Sequence, residues 1–301
     1  MSGDDCHHNS KNSSHDDSSH GAESRLRVAL IQADLIWADP QANRARLEQL
    51  MDQQPEADLI ILPETFTTGF LGDEGIDAEP MNGPTLAWMN QQAAHRNAAI
   101  CGSFVVEEGG ERRNRMVFVD DNTKSSIDEH TDLSTSCLGY YDKGHLFGPG
   151  GEGDRYRAGS DRTVIEWRDW RIDLQICYDL RFPVWCRNGL NQDGEDVRPR
   201  FDFQLFVANW PSARVDHWQS LLKARAIENQ SFVIGLNRVG VDGNQIAHPG
   251  SSMAFSPAGH CLIELNDKES TALVTLDKNE LTTYRKNLPF LTDADVFNLS
   301  D

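Results

Sequence analysis

The chain is short of basic residues: 28 lysines and arginines face 47 aspartates and glutamates, for a formal net charge of −19. That balance excludes the basic footprint a nucleic acid requires and leaves no patch for anionic lipid. Long apolar runs are missing too; nothing approaches the roughly 18 residues of a membrane-spanning helix. Neither nucleic acid nor membrane is therefore expected as a partner. Six cysteines, at 6, 101, 137, 177, 186 and 261, include no CxxC pair, so neither a cysteine-rich zinc site nor a disulfide framework is indicated. No metal is expected, and scattered free thiols suit a reducing cytoplasm.

The first 24 residues have hardly an apolar side chain. Built from Ser, His, Asp and Asn, they cannot offset the entropy lost on folding. Residues 1–24 are thus expected as a disordered tail ahead of a single domain at 25–301. The tail shows neither the apolar segment of a secretory signal nor the Arg-rich pattern of an import peptide. Its Cys6, His7 and His8 could meet a metal ion, but without fixed geometry. Only five of the acids lie there, so the acidity belongs to the domain.

Beyond the tail the chain is periodic. A strand at 26–32, an amphipathic helix at 40–51, an all-apolar strand at 58–62, a proline-opened helix at 84–96 and a strand at 98–105 give the order β-α-β-α-β. Further strands are expected at 116–119, 140–142, 163–166, 171–176, 203–208, 232–237, 251–255, 261–265 and 272–276, with the longest helix at 212–229. Buried strands alternating with helices and mixed with hairpins point to an α/β layered domain. Two polar stretches, 120–136 and 191–200, read as surface insertions.

Three residues stand where chemistry could be done. Cys177 closes an alternating run, RIDLQI, and is followed by YDLRFP, so its thiol is expected on a strand-to-helix turn that presents a nucleophile. Glu64 follows the apolar strand in LPETFTTGF (62–70); desolvation there is expected to raise its pKa and suit it to general-base work. Lys143 ends a strand in YYDKGHLF (140–147), where a buried ammonium could stabilise an oxyanion. Each has a plain structural alternative: a packed core thiol, a solvated loop acid, a lysine whose stem lies over aromatic rings.

In this order, LPETF, YDKGHLF and ICYDLRFP resemble the nitrilase superfamily of carbon-nitrogen hydrolases. The resemblance extends to YRAG (156–159), VANWPSAR (207–214), HWQSLLKARAIENQSFVIGLNRVGVDGN (217–244) and GSSMAFSPAG (250–259), and spans roughly 26–290. Within the superfamily the motifs are most similar to the bacterial omega-amidase branch. The resemblance implies a four-layer α-β-β-α sandwich that pairs through a helical layer into a homodimer. It implies that Glu64 takes the Cys177 proton, that the thiolate attacks an amide carbonyl, and that Lys143 and the backbone N–H of Tyr178 hold the oxyanion. Ammonia then leaves and a thioester is hydrolysed, with no cofactor. A second glutamate of the family matches Glu152, in the glycine-rich GPGGEGDRYRAG (148–159).

An omega-amidase would act on 2-oxoglutaramate or 2-oxosuccinamate, whose far carboxylate needs a fixed cation. Arg181 is the candidate, with an ion pair to a helix carboxylate as its alternative. Phe66, Phe70 and Trp210 could line the pocket, or could be plain core; Arg225 and Glu228 read as structural. For the dimer, a helix after Pro183 and the helix at 212–229 offer Trp185, Trp218 and Leu221. Alternative functions are another nitrilase-branch activity, such as an N-carbamoyl or aliphatic amidase, or a non-catalytic scaffold on the same fold. A Cys-His hydrolase would need one of His145, His217, His248 or His260 beside Cys177, and no local signature of that class is present.

Overall fold

A computed structural model describes residues 24–70, 78–120, 137–191, 197–295 and 297. Nearly all of the expected tail, most of the first insertion and the middle of the second lie outside the described residues.

Two six-stranded sheets are stacked face to face. The first contains β1 (Arg25–Gln32), β2 (Leu59–Ile61), β3 (Ala99–Glu108), β4 (Glu111–Val119), β5 (Gly139–Asp142) and β14 (Ser270–Asp277), in the spatial order β14-β1-β2-β3-β4-β5. The second contains β6 (Val164–Trp167), β7 (Trp170–Ile176), β8 (Phe203–Ala208), β9 (Phe232–Asn237), β12 (Met253–Phe255) and β13 (Cys261–Glu264), in the order β13-β12-β9-β8-β7-β6. Each sheet has three parallel strands at its centre, β1-β2-β3 and β7-β8-β9, with antiparallel neighbours outside them. A short pair, β10 (Val239–Val241) and β11 (Ala247–Pro249), stands apart.

Strand alternation sorts the side chains into three cores. Val28 and Leu30 of β1, Leu59 and Ile61 of β2, and Leu174 and Ile176 of β7 fill the space between the sheets. Their neighbours Ala29, Ile31 and Ile60 turn outward onto α1 (Pro40–Met51) and α2 (Pro84–Arg96). On the far side, Phe206, Ala208 and Val233 pack against Trp218, Leu222 and Ala226 of α3 (Val215–Asn229). The result is the expected four-layer α-β-β-α sandwich. Local chemistry sets the helix ends: the Asp39 carboxylate caps α1 through the Ala42 N–H, and Asn97 leaves α2 in a left-handed conformation at φ 54°.

Three elements escaped the sequence reading. The β10–β11 pair is only three residues a side. A fourth helix, α4 (Lys278–Asn287), buries only Leu281 and so shows no apolar stripe. Conversely, no helix follows Pro183, where the chain runs through turns; the helical turn comes earlier, as a 3-10 helix over Cys177–Arg181. The proposed dimer surface needs correcting with it. Trp218 is fully buried and donates its N–H to the Ser251 carbonyl at 2.8 Å. Trp185 is half-buried with its N–H on the Tyr141 hydroxyl. Of that trio, Leu221 alone keeps a simple partly exposed face.

Candidate active site

The carboxyl ends of parallel strands from both sheets converge on one place, where α/β folds usually bind ligands. Glu64 arrives from the first sheet, three residues past β2. Its turn is tight: Thr65 is held at φ 44°, a conformation that costs a β-branched residue energy. The turn packs so closely on β3 that a Cβ at Gly102 would meet Leu62 at 2.7 Å and Phe66 at 3.0 Å. Lys143 follows β5, and Cys177 leaves β7 as the first residue of its 3-10 turn, itself at φ 45°. Strained backbone thus sits beside both the acid and the thiol.

Glu64 is completely buried. One carboxylate oxygen accepts from the Lys143 ammonium at 3.0 Å and from the Asn114 side chain at 2.8 Å. The other accepts from the backbone N–H of Asn209 at 2.7 Å and from its side-chain amide at 3.1 Å. Lys143, equally buried, reaches both oxygens of Glu152 at 3.0 and 2.9 Å. Glu152 is fixed in turn by the Phe147 N–H. The ammonium is therefore clamped between two carboxylates in a dry site, leaving one net negative charge.

Burial alone would raise the Glu64 carboxyl, as expected from the sequence; the opposite shift wins, because Lys143 and Asn209 hold it below its ordinary value. Burial would lower the Lys143 ammonium, but Glu152 and Glu64 keep it well above its usual range. Burial, and then the Glu64 charge, push the Cys177 thiol well up, against a smaller pull from Lys143. At neutral pH the resting site is an ionised acid, a charged lysine and a protonated thiol. Glu64 is the carboxylate whose charge bears most strongly on the thiol.

Cys177 and Lys143 open onto a cavity of about 340 Å³. Phe70, Tyr178, Arg181 and Trp210 line it, together with Phe147, Asn209 and Arg214. Phe66 does not line it: fully buried, it packs on Trp88 and Phe104 under α2, on the other side of the first sheet. Arg181 makes no helix ion pair among the described residues. Its guanidinium lies 4.6 Å from the Trp210 ring centre, with one nitrogen 3.2 Å from His217 Nδ1. Arg225 and Glu228 are structural, joined at 2.6 Å, and Arg225 also donates to the Leu180 carbonyl near the end of the turn that Cys177 opens. Among the described residues no histidine bonds to Cys177: His145 pairs with Asp179, His217 with Arg181, His248, which also lines the cavity, with Asp242, and the His260 N–H donates to the Ser256 hydroxyl.

Reading the sequence missed Asn114 and Asn209, which orient Glu64, and Asp179, which stands under Cys177. Asn209 begins the NWP run after β8, a polar residue directly following six buried ones; that break is the signal that could have found it.

A fold of this kind, with acid, lysine and thiol at the meeting edge of two sheets, defines a carbon-nitrogen hydrolase. The chain belongs to that family, which it matches over residues 27–286, and it is a hydrolase of amide carbon-nitrogen bonds within the nitrilase superfamily. It is 38% identical to omega-amidase YafV of Yersinia enterocolitica over 92% of this chain and 99% of that one. It is 31% identical to a 2-oxoglutaramate amidase of Bacillus subtilis, covering 88% and 96% of the two chains. A crystal structure from Xanthomonas campestris, described as a CN-hydrolase superfamily protein with an arsenic adduct in its active site, superposes with a TM-score of 0.85 at 42% identity. It covers 92% of this chain and 99% of that one.

Proposed function

We propose that the protein is an omega-amidase in which Cys177 is the nucleophile, Glu64 the general base and acid, and Lys143 the oxyanion-stabilising cation. The observation that carries the reading is the buried Lys143 ammonium held at 2.9–3.0 Å by Glu64 and Glu152 at the wall of the cavity that Cys177 lines. An amide entering that cavity meets a thiol whose proton can pass to Glu64 as the sulfur attacks the carbonyl carbon. Negative charge then develops on the carbonyl oxygen. With the two Glu152 contacts shared by one N–H, Lys143 keeps a further N–H for that oxygen. The Tyr178 backbone N–H, in the first turn of a helix where such groups lack internal acceptors, supplies a second donor.

Collapse of the tetrahedral adduct breaks the carbon-nitrogen bond; the Glu64 proton moves to the departing nitrogen, ammonia leaves and a thioester remains. Glu64, again a carboxylate, takes a proton from water as that water attacks the thioester. The carbon-sulfur bond then breaks, the Glu64 proton returns to the sulfur, the acid product leaves and the free thiol is restored, with Glu152 keeping Lys143 in place throughout. No step calls for a cofactor.

The substrate reading rests on Arg181. Its guanidinium is spread over Trp210 and faces the cavity with no carboxylate in ion-pair range among the described residues, beside the guanidinium of Arg214. In a chain this acidic, a cation left without an acid suits an anionic ligand, and the relatives named for omega-amide substrates point the same way. We therefore assign 2-oxoglutaramate or 2-oxosuccinamate as substrate and the 2-oxo dicarboxylate and ammonia as products, with Phe70 and Trp210 as apolar walls. We further propose a homodimer formed through the α3 layer, and a cytoplasmic enzyme.

Ammonia release is to be followed on 2-oxoglutaramate, on carbamoyl amino acids and on simple aliphatic amides, with wild type and Cys177→Ala in parallel. Turnover of the keto-acid amide by wild type alone is expected, with a thioester adduct visible by intact mass. Turnover that survives Cys177→Ala would refute the mechanism; preference for a carbamoyl or uncharged amide would refute the substrate. Sedimentation showing only monomer at micromolar concentration would remove the dimer.

A further inference from the structure

Asp179 is a completely buried carboxylate that the proposed mechanism does not use and that does not line the cavity. It lies two residues after Cys177, and four donors converge on it. Oδ2 accepts from the Ile176 N–H at 3.0 Å and from the Tyr141 hydroxyl at 2.8 Å; Oδ1 accepts from the His145 N–H and meets His145 Nδ1, both at 2.8 Å. The Tyr141 oxygen itself accepts from the Gly144 N–H and the Trp185 ring N–H, each at 3.0 Å. The His145 ring is stacked on Phe182, 3.7 Å between centres.

The distribution of these partners is informative. Tyr141 and His145 stand two residues before and two after Lys143, and they come from the first sheet. Ile176, Phe182 and Trp185 bracket Cys177 and come from the second. A single buried carboxylate therefore fastens both flanks of the lysine to the backbone immediately before the nucleophile. Cys177 needs such a restraint, because its φ of 45° is one an L-residue adopts only when its surroundings impose it. An aliphatic residue at 179 would leave the buried Ile176 N–H and Tyr141 hydroxyl, and the part-buried His145 N–H, without their acceptor, and an amide would turn a donor against at least one of them.

We propose that Asp179, acting with Tyr141, is a positioning residue that sets the Cys177 thiol relative to Lys143 and Glu64 without touching substrate. This rests on the triad assigned above. A displacement near 1 Å at such a site costs on the order of 10²-fold in rate, and the loss should fall on kcat, since neither side chain lines the cavity.

The test compares Asp179→Asn and Tyr141→Phe with wild type in three readouts: kcat and KM on 2-oxoglutaramate, the rate of Cys177 carbamidomethylation by iodoacetamide followed by peptide mass, and thermal unfolding. For folded Asp179→Asn the expected result is a kcat lower by about 100-fold, KM within about threefold, and alkylation slowed by about tenfold or more. Tyr141→Phe should lose about tenfold in kcat at similar KM, and the double variant should be no worse than Asp179→Asn, because the two act as a unit. A folded Asp179→Asn with kcat within threefold of wild type overturns the proposal, as does a rise in KM at unchanged kcat. If Asp179→Asn does not fold, Tyr141→Phe decides: wild-type kcat in that variant overturns the proposal. The alkylation arm uses no substrate, so a wild type inactive on every omega-amide would refute the function while leaving the positioning role to be judged on its own.

Discussion

Replacing Glu152 by glutamine separates two effects that usually travel together. Glu64, Glu152 and Lys143 leave one uncompensated negative charge in a dry site. The substitution keeps the shape, removes that charge and, whichever way the amide turns, sets its NH₂ against the Lys143 ammonium, and in one orientation against the Phe147 N–H as well. At 3 Å and an effective dielectric near 20, the lost attraction is about 5 kcal/mol before solvation is counted; breaking one arm of a buried ion pair costs about 3–5 kcal/mol in practice. Lys143 should therefore lose its fixed position, and kcat should fall by about 10²–10³-fold. The thiol responds in the opposite sense. Glu152 is one of the charges pushing Cys177 upward, so its removal should lower the pH midpoint of alkylation by iodoacetamide. The assay pairs kcat on 2-oxoglutaramate with alkylation rates measured from pH 6 to 11 on the same preparations. An enzyme that is slower and a thiol that is easier to ionise is the expected pair. A kcat within threefold of wild type, or an alkylation midpoint that rises, would show that the charge count or the role of Glu152 is wrong.

Three further outcomes rest on the same geometry. Arg181→Ala should raise KM for 2-oxoglutaramate by about 10²-fold, the value of a charge-assisted bond, while leaving an uncharged aliphatic amide nearly untouched; equal losses on both substrates would remove Arg181 from carboxylate binding. Asn209→Ala removes a side-chain donor that helps hold Glu64 low, so the acidic limb of the kcat/KM profile should move to higher pH, and a limb that stays in place would argue that another group governs it. Asp173 is buried on the α3 side of β7, between the side-chain amides of Gln175 and Gln204 at 2.9 and 2.6 Å, and burial raises its pKa to about 6. A carboxyl raised above its unfolded value near 3.9 contributes stability below that value and loses it as pH climbs through 6. Asp173→Asn, which can keep both bonds on one oxygen, should therefore melt higher than wild type at pH 7.5, by the order of 2–3 kcal/mol, with the gap closing toward pH 4; a variant less stable at pH 7.5 would refute this.

Much of the framework was legible because the burial that selects these elements writes itself into the residues. The segments 40–51, 84–96, 203–208 and 232–237 were read with the boundaries the structure has, since each carries either a capping signal or an unbroken apolar run. The elements that stayed hidden had no such mark. The polar α4 buries one leucine and is otherwise held by Arg285, which donates to the Gln230 and Phe201 carbonyls and to Asp202, and the turns after Pro183 looked helical only because Arg-Phe-Pro can start a helix. Phe66 illustrates a further limit. Glu64, two residues earlier, reaches the site, but the turn through Thr65, held at φ 44°, carries the phenylalanine to the opposite face of the sheet, and nothing in LPETFTTGF says which aromatic faces the cavity. The direction of the Glu64 shift was misjudged for a related reason: burial can be inferred from an apolar strand, whereas the ammonium and amides that outweigh it come from 79 and 145 residues away.

The site belongs to neither half of the molecule. Glu64 and Lys143 hang from the first sheet, Cys177 and Asn209 from the second, and the apolar layer between the sheets supports both pairs. Each motif can be recognised in isolation, yet the chemistry arises only when that layer sets the separation of the two strand ends. Polar contacts also cross the gap at the site: Asn209 grips Glu64, and Asp179 grips the flanks of Lys143. Apolar packing between sheets is tolerant of small slips, because leucine and isoleucine surfaces have no preferred register finer than a side chain. Hydrogen bonds of 2.7–3.1 Å are not tolerant in this way. Labour is divided accordingly: the sandwich core supplies the stability, while these paired polar ties supply the sub-ångström placement that an acid, a lysine and a thiol need to act on one carbonyl.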